Sequence, residues 1–511
     1  MSHWSDGYVS DVNYLHGYQP ELNPLRLPLA FLNAGLAPPS YGISSELGFG
    51  QGVSTNLHAA ATVSEWYGTD FSPPQAAYAR QLAEVSHAKA HFFDQSFADF
   101  CGREDLPDFD FICMHGIWSW INDDNRRTIV DFIRRKLKSG GAIYVSYNAL
   151  PGLAGFAPLQ DLLMRSVDLY NRDGADLTAG IDGALALAER VVELSPVLTQ
   201  GSARAVERLK GIRRENRSYV AHEYFNRNWN PTSFGCMGEW LGEAGLQYAC
   251  SANHFSSIDA LNLTPPQQAF LREIPDAVVR ETARDLLINQ TFRKDYWVKD
   301  GRRLSADEKS AALARERVVL MRAPALVSRK IGGALGDRAL LDRVCDPIIQ
   351  AMADHRPKTL AQLETAVKPQ GVEFAQLVEV VQALVKNGGV AAAQNDSDIG
   401  SARPQTDKLN LHLCAQACQA SDVSFLASPV TVTAVELGRI PQLFLNALHH
   451  GKQQPGEIAA HAWRIMQAQG ITVLKNGKPL STPGEGLDAL TEEVFSFVRQ
   501  HLPVLSSLQV I

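Results

Sequence analysis

The sequence predicts an α/β protein built on a doubly wound, Rossmann-like parallel sheet, and three observations predict it. Residues 43–56 read as a short strand, a turn with glycines at 48, 50 and 52, and the start of a helix. Strand-like runs downstream each end in polar or acidic residues. Helical patterns separate these runs, the alternation that builds a parallel sheet with helices on both faces.

The first strand and its turn are the most informative. Without side chains, Gly48, Gly50 and Gly52 let the backbone approach a ligand closely, and the helix N-terminus beyond offers unpaired N–H groups to a carboxylate. A dinucleotide fingerprint would space its glycines as Gly-x-Gly-x-x-Gly over a pyrophosphate. Here the glycines alternate and Glu46 precedes them, a spacing that favours S-adenosylmethionine over NAD. Glu46, Gly48, Gly50, Gln51 and Gly52 are the expected cradle.

Residues 65–70 are the second strand, ending in Asp70, with Phe71 beside it. A carboxylate there can accept hydrogen bonds from both ribose hydroxyls. The third strand starts at Ala90 and ends in Asp94, Gln95 and Ser96, a polar trio suited to an adenine edge. The fourth, 108–115, opens onto the crevice at His115. Residues 137–141 read as a helix end and a turn, and 142–148 as a fifth strand closing on Tyr147 and Asn148. Ligand groups at the carboxyl ends of strands are where such sheets bind. The agreement of these segments in order and spacing gives the expectation of a class I S-adenosylmethionine-dependent methyltransferase.

The chain has 511 residues, enough for two to four domains, and a net charge of −7, which supplies no basic footprint for nucleic acid. The first seven residues have neither a basic region nor an apolar run, and no stretch approaches the length of a membrane helix, so a cytoplasmic protein without membrane insertion is expected. Seven scattered cysteines, an odd number, argue against a disulfide framework. His412, Cys414 and Cys418 lack a second ligand pair and read as core positions of a helix; no metal is expected.

Changes of pattern divide the chain into an aromatic and proline-rich leader (1–42) that wraps the open side of the nucleotide site, a nucleotide domain with covering helices (43–218), a middle domain (219–305) and a C-terminal region (306–511). Beyond 305, helices at 347–355, 359–366 and 374–386, followed by a short strand from Val390, have a winged-helix-like order; the rest is mostly helical. The 374–386 helix carries one Lys and no Arg and is expected to expose Glu373, Gln376, Glu379, Gln382 and Lys386, a surface poorly suited to DNA. The region is expected to recognise a protein partner or substrate, so deleting it should leave cofactor binding intact but abolish or redirect methylation of a macromolecular substrate.

Beyond the nucleotide motif, several stretches are more specific: 33–56, 115–121 with His115, Trp118 and Trp120, 146–152 with Tyr147, Asn148 and Pro151, His222-Glu223-Tyr224, 292–297 and 425–431. Through them the chain resembles bacterial methyltransferases that carry a methyltransferase regulatory domain, the group containing the outer-membrane-protein lysine methyltransferases. The resemblance covers most of the length. It implies a middle domain used for dimerisation, a separate C-terminal domain, and N-methylation of lysine on a protein substrate. Phe49, where many methyltransferases have a small residue, and Trp118, where a Tyr is expected in relatives, depart from the pattern.

Methyl transfer from a sulfonium is an in-line displacement that needs no acid for its leaving group, so the enzyme must align and desolvate the nucleophile. A lysine amine, which in water holds its proton up to about pH 10.4, must first lose it. His115, Trp118, Tyr147, Asn148, His222, Glu223 and Tyr224 are the candidates for substrate contact, the aromatics through cation–π attraction. Two other functions fit the same motifs: a small-molecule O- or N-methyltransferase and a cofactor-sensing regulator without transfer.

Overall fold

The computed structural model describes residues 16–171, 177–253, 258–472, 474–475, 478–480 and 483–511. The leader's first fifteen residues lie outside them. At the centre is one seven-stranded sheet. Its parallel strands are β1 (Ile43–Leu47), β2 (Glu65–Thr69), β3 (Ala90–Phe93), β4 (Phe109–Met114) and β5 (Leu137–Asn148). Two more, β6 (Leu246–Ser251) and β7 (Phe292–Lys299), complete it in the order β3-β2-β1-β4-β5-β7-β6, with β7 antiparallel to both neighbours.

The expected fifth strand is longer than the pattern suggested. It starts at Leu137, directly after the preceding helix, and takes up residues 138–141 through a register shift against β4 between Phe109 and Phe111. Gly140, at φ +77°, supplies the left-handed residue there.

The sheet also crosses the 218/219 boundary read from the sequence. β6 and β7 come from the stretch set apart as a middle domain, and β7 pairs with β5 along its length, Ala142 to Asn148 against Val298 to Phe292. A continuous hydrogen-bonded ladder makes the two stretches one structural unit.

Helices cover both faces. α1 (Leu27–Asn33) belongs to the leader, and Leu22, Leu27 and Phe31 pack with Trp66, Phe111, Tyr144 and Tyr296 on one face. α2 (Val53–Ala61) and α3 (Pro73–Ser86) follow β1 and β2. On the opposite face α4 (Phe97–Cys101) and α5 (Asp123–Lys136) bury Phe100, Ile129, Phe132 and Ile133. α5 has strong local signals: Asn122 caps it by accepting from the Asn125 N–H at 2.9 Å, and acids in its first turn and Arg134, Arg135 and Lys136 in its last complement the helix dipole.

Between β5 and β6 the chain forms helices at Ala157–Tyr170, Leu177–Leu194, Pro196–Gly201, Ala203–Ile212 and Arg217–Tyr224. They share a core of Phe156, Leu163, Leu185, Leu209 and Val220, and the last two stand over the carboxyl ends of the strands.

In the C-terminal region a small antiparallel sheet (358–359, 317–320, 390–392) carries helices Asp342–Ala351, Leu360–Val367 and Phe374–Lys386. Gln382, expected on the exposed face of the last, is buried instead. Among the described residues the remainder is mostly helical, with three short hairpins at 330–339, 425–436 and 474–475 with 478–479.

This region packs onto the nucleotide half. Every residue of α2 is buried, and Val53, Leu57 and Ala60 share one apolar cluster with Leu409, Leu413 and Cys414 of the helix Asp396–Gln416. The C-terminal region therefore covers the outer side of the helix that follows the glycine turn, a contact that a reading of the two as separate domains did not include.

Candidate active site

A cavity of about 440 Å³ opens at the carboxyl ends of β1, β2, β4 and β5. Glu46, Gly48, Gly50, Gln51, Gly52, Asp70, Phe71, Gln95, Ser96 and His115 all line it. The three glycines hold φ of +76°, +57° and +67°, a region that side chains disfavour. Gly52 is needed for packing as well, because a Cβ there would lie 2.6 Å from the Ala79 Cβ and separate α2 from α3.

Asp70 braces the turn. Its Oδ2 accepts from the Gly50 N–H at 2.8 Å and its Oδ1 from the Ser72 N–H at 3.0 Å, leaving further lone pairs on both oxygens. Burial pushes its pKa up to about 6 despite these bonds. Glu46 accepts from the Thr55 hydroxyl, and burial, with Asp70 nearby, pushes it up to about 7. Two acids buried together by a glycine cradle suit a ligand that brings positive charge and hydroxyl donors. S-adenosylmethionine, with its ammonium, sulfonium and ribose, has those groups, so the residues present fit it.

Asp94 does not line the cavity. It lies on the surface 3.4 Å from Arg80 of α3, so its expected role at the adenine is corrected. Gln95 is held next to it, its carbonyl accepting from the Thr69 hydroxyl at 2.6 Å, and Ser96 caps α4.

His115 sits at the end of β4 with Nδ1 2.8 Å from the Tyr144 hydroxyl. Burial and the positive charge of Lys294 bring its pKa down to about 4, so the ring is neutral. His222, Glu223 and Tyr224, on the short helix from Arg217, reach the same cavity from above. Glu223 is pushed up to about 7 by burial, against the pull of Arg208. Arg208 in turn donates to the Tyr224 hydroxyl at 3.3 Å.

Two expected substrate contacts are corrected. Tyr147 is fully buried on the far side of β5 and donates its O–H to Asp295 at 2.9 Å; its neighbour Asn148, one residue on, faces the cavity, as strand alternation requires. Trp118 packs edge-on against Trp240 and beneath Arg126, whereas Trp120, at the other end of the same short turn, lines the cavity. Asn148 is fixed by its backbone, N–H to Ser119 Oγ at 2.8 Å and carbonyl to the Thr232 N–H at 2.9 Å, while its side-chain amide makes no hydrogen bond among the described residues.

Sequence reasoning missed Gln19, Asn125, Arg208, Tyr219 and Phe292 in the lining. Tyr219 and Phe292 stand within or beside motifs already singled out and could have been found. Gln19 and Arg208 come from the leader and from a covering helix, where no local pattern marks them.

This fold and this site define a class I S-adenosylmethionine-dependent methyltransferase. A methyltransferase domain model matches residues 45–141, and a predicted methyltransferase regulatory domain matches residues 216–299. The protein sll1526 of Synechocystis is 35% identical over 511 residues, with 99% of each chain covered. RP789 of Rickettsia prowazekii is 24% identical over 282 residues, 53% of this chain and 49% of that one. Among solved structures, PKMT2 from Rickettsia typhi, in complex with AdoHcy, aligns with a TM-score of 0.66 at 17% identity, covering 96% of this chain and 98% of that one. The chain belongs to the family of S-adenosylmethionine-dependent methyltransferases that carry this regulatory domain, and S-adenosylmethionine is its cofactor.

No helix among the described residues is long and apolar enough to cross a membrane.

Proposed function

We propose that the protein N-methylates lysine side chains of a protein substrate, with Glu223 as the proton acceptor. The observation that carries this reading is Glu223 itself, a carboxylate poised near pH 7 that enters the cofactor cavity from outside the nucleotide-binding strands. Burial lowers an ammonium's pKa while it raises a carboxylate's, so a lysine brought beside Glu223 can pass its proton there at neutral pH. Tyr219, Tyr224 and Trp120 give the aromatic wall that a cation prefers, and the Asn148 amide is an acceptor that orients the amine. The glycine cradle would hold the donor's methionine portion and Asp70 its ribose; the bound cofactor supplies an electrophilic methyl on a neutral leaving group. His115, neutral and fixed by Tyr144, closes the floor and excludes water.

The Rickettsia typhi PKMT2 alignment over nearly the whole chain supports the same arrangement of parts, including the C-terminal half. Dimerisation through the middle stretch belongs to this proposal as well.

The test is incubation of the purified protein with cell extract and radiolabelled methyl donor. Label in protein bands, released as methyllysine on hydrolysis, is the expected result. Label in small metabolites would favour the small-molecule reading, and no label would favour a cofactor-sensing regulator.

A further inference from the structure

A second cavity, of about 670 Å³, lies where the leader, the 317–392 unit and the last helices meet. Its walls are largely apolar, with Leu29, Met321, Phe425, Val435 and Leu505 among them, and its volume is in the range of ordinary ligand sites. Arg26, Arg322 and Lys386 stand around it against one carboxylate, Glu436. In a chain with a net charge of −7 this is a local excess of cations.

Arg26 is the informative member. It is half-buried at the start of α1, its Nε is buried without a partner, and its guanidinium makes no hydrogen bond or ion pair among the described residues. The neighbouring acid Glu21 bonds Lys294 at 2.9 Å; it also feels the charge of Arg26, but no hydrogen bond or ion pair joins the two among the described residues. A guanidinium taken partly out of water normally finds a carboxylate or phosphate. The guanidinium of Arg322, exposed at the rim, also makes no such bond among the described residues.

We propose that this cavity is a binding site for a carboxylate carried on an apolar body, with the anion on Arg26 and Arg322 and the body against the aliphatic walls. A small organic acid and the free C-terminus of a polypeptide ending in an apolar residue share this chemistry.

The site adjoins the cofactor cavity through one extended segment of the leader. Gly17 and Gln19 line the cofactor cavity, and Tyr18 and Pro20, alternating with them, line the second. The segment is fastened on both sides: the Gln19 N–H donates to Ser54 Oγ at 2.9 Å, and the Tyr18 hydroxyl lies 3.0 Å from both His58 Nε2 and Thr433 Oγ1. A ligand against Tyr18 therefore touches the strap that walls the cofactor site.

The experiment is titration calorimetry on the full chain with octanoate, with 1-octanol as the neutral control, and with N-acetyl-Ala-Leu as free acid and as amide. Binding of an acid and not of its neutral counterpart is expected, and the acid that binds identifies the source. Arg322→Gln, at an exposed position, and Arg26→Gln should each weaken that binding about tenfold or more, the scale of one charge-assisted hydrogen bond, while S-adenosylhomocysteine still binds. Equal binding of acid and neutral probe, binding unchanged in both variants, or no binding of either acid would overturn the proposal.

Discussion

At the scale of single residues the cofactor site depends on one joint, the hydrogen bond from the Gly50 N–H to Asp70. Asp70→Ala removes the proposed ribose acceptor and the group that holds the turn, and S-adenosylhomocysteine affinity should fall at least about tenfold by calorimetry. Gly50→Val puts a β-branched side chain at φ +57°, costing about 1–2 kcal/mol in the backbone alone, and should lose affinity to a similar or greater degree. Parent-like binding by both variants would remove the assignment.

Glu223 makes a second, pH-resolved prediction. As the proton acceptor it must be ionised, so the turnover rate should rise with pH through about 7, and Glu223→Gln should lose most turnover together with that inflection while keeping cofactor affinity. Stability runs the other way. The folded state holds the Glu223 proton up to about 7 and the unfolded chain only to about 4.5, so between those values the folded state binds more protons and stability declines as pH rises. Glu223→Gln should flatten that decline, as urea melts at pH 5 and pH 8 would show.

At the scale of elements, β7 is tied into the molecule by a buried charge network. Arg293 donates to Asp295 at 2.8 Å, to Asp285 at 2.6 Å and to Glu281 at 3.2 Å, and lies over the Phe234 ring at 4.2 Å. Tyr147 of β5 completes it through Asp295, so the network links two neighbouring strands to the helix Ala277–Ile288. Arg293→Met would leave several acids buried without their counter-charge and should cost about 3–5 kcal/mol in urea unfolding. Tyr147→Phe separates this structural role from substrate contact. It should lower stability by about 1–3 kcal/mol and leave turnover within about twofold of the parent.

At the scale of the whole molecule, the C-terminal helices and the nucleotide half share a core. Truncation after Ala392 would uncover Val53, Leu57 and Ala60 on α2, and the shortened chain should be poorly soluble or markedly less stable. Leu413→Ala tests the same contact more gently: a loss of about 2–5 kcal/mol is expected, with faster amide exchange over residues 53–61. Parent-like exchange in α2 would show that the packing does not support the helix behind the cradle.

The parallel strands, the glycine turn and most of the cradle were legible in the sequence because their determinants are local. Alternating glycines, acids at strand ends and the cap and charges of α5 lie within a few residues of what they control. Side-chain direction was less accessible, since one position of phase separates Tyr147, buried beneath the sheet, from Asn148, which faces the cavity. The tertiary structure alone decided that β6 and β7 close the same sheet, that α2 is buried from outside by residues more than three hundred positions away, and that residues 17–20 form a wall between two cavities. Strand pairing and apolar burial between distant segments depend on which surfaces meet in space, and no local pattern in the chain records that choice.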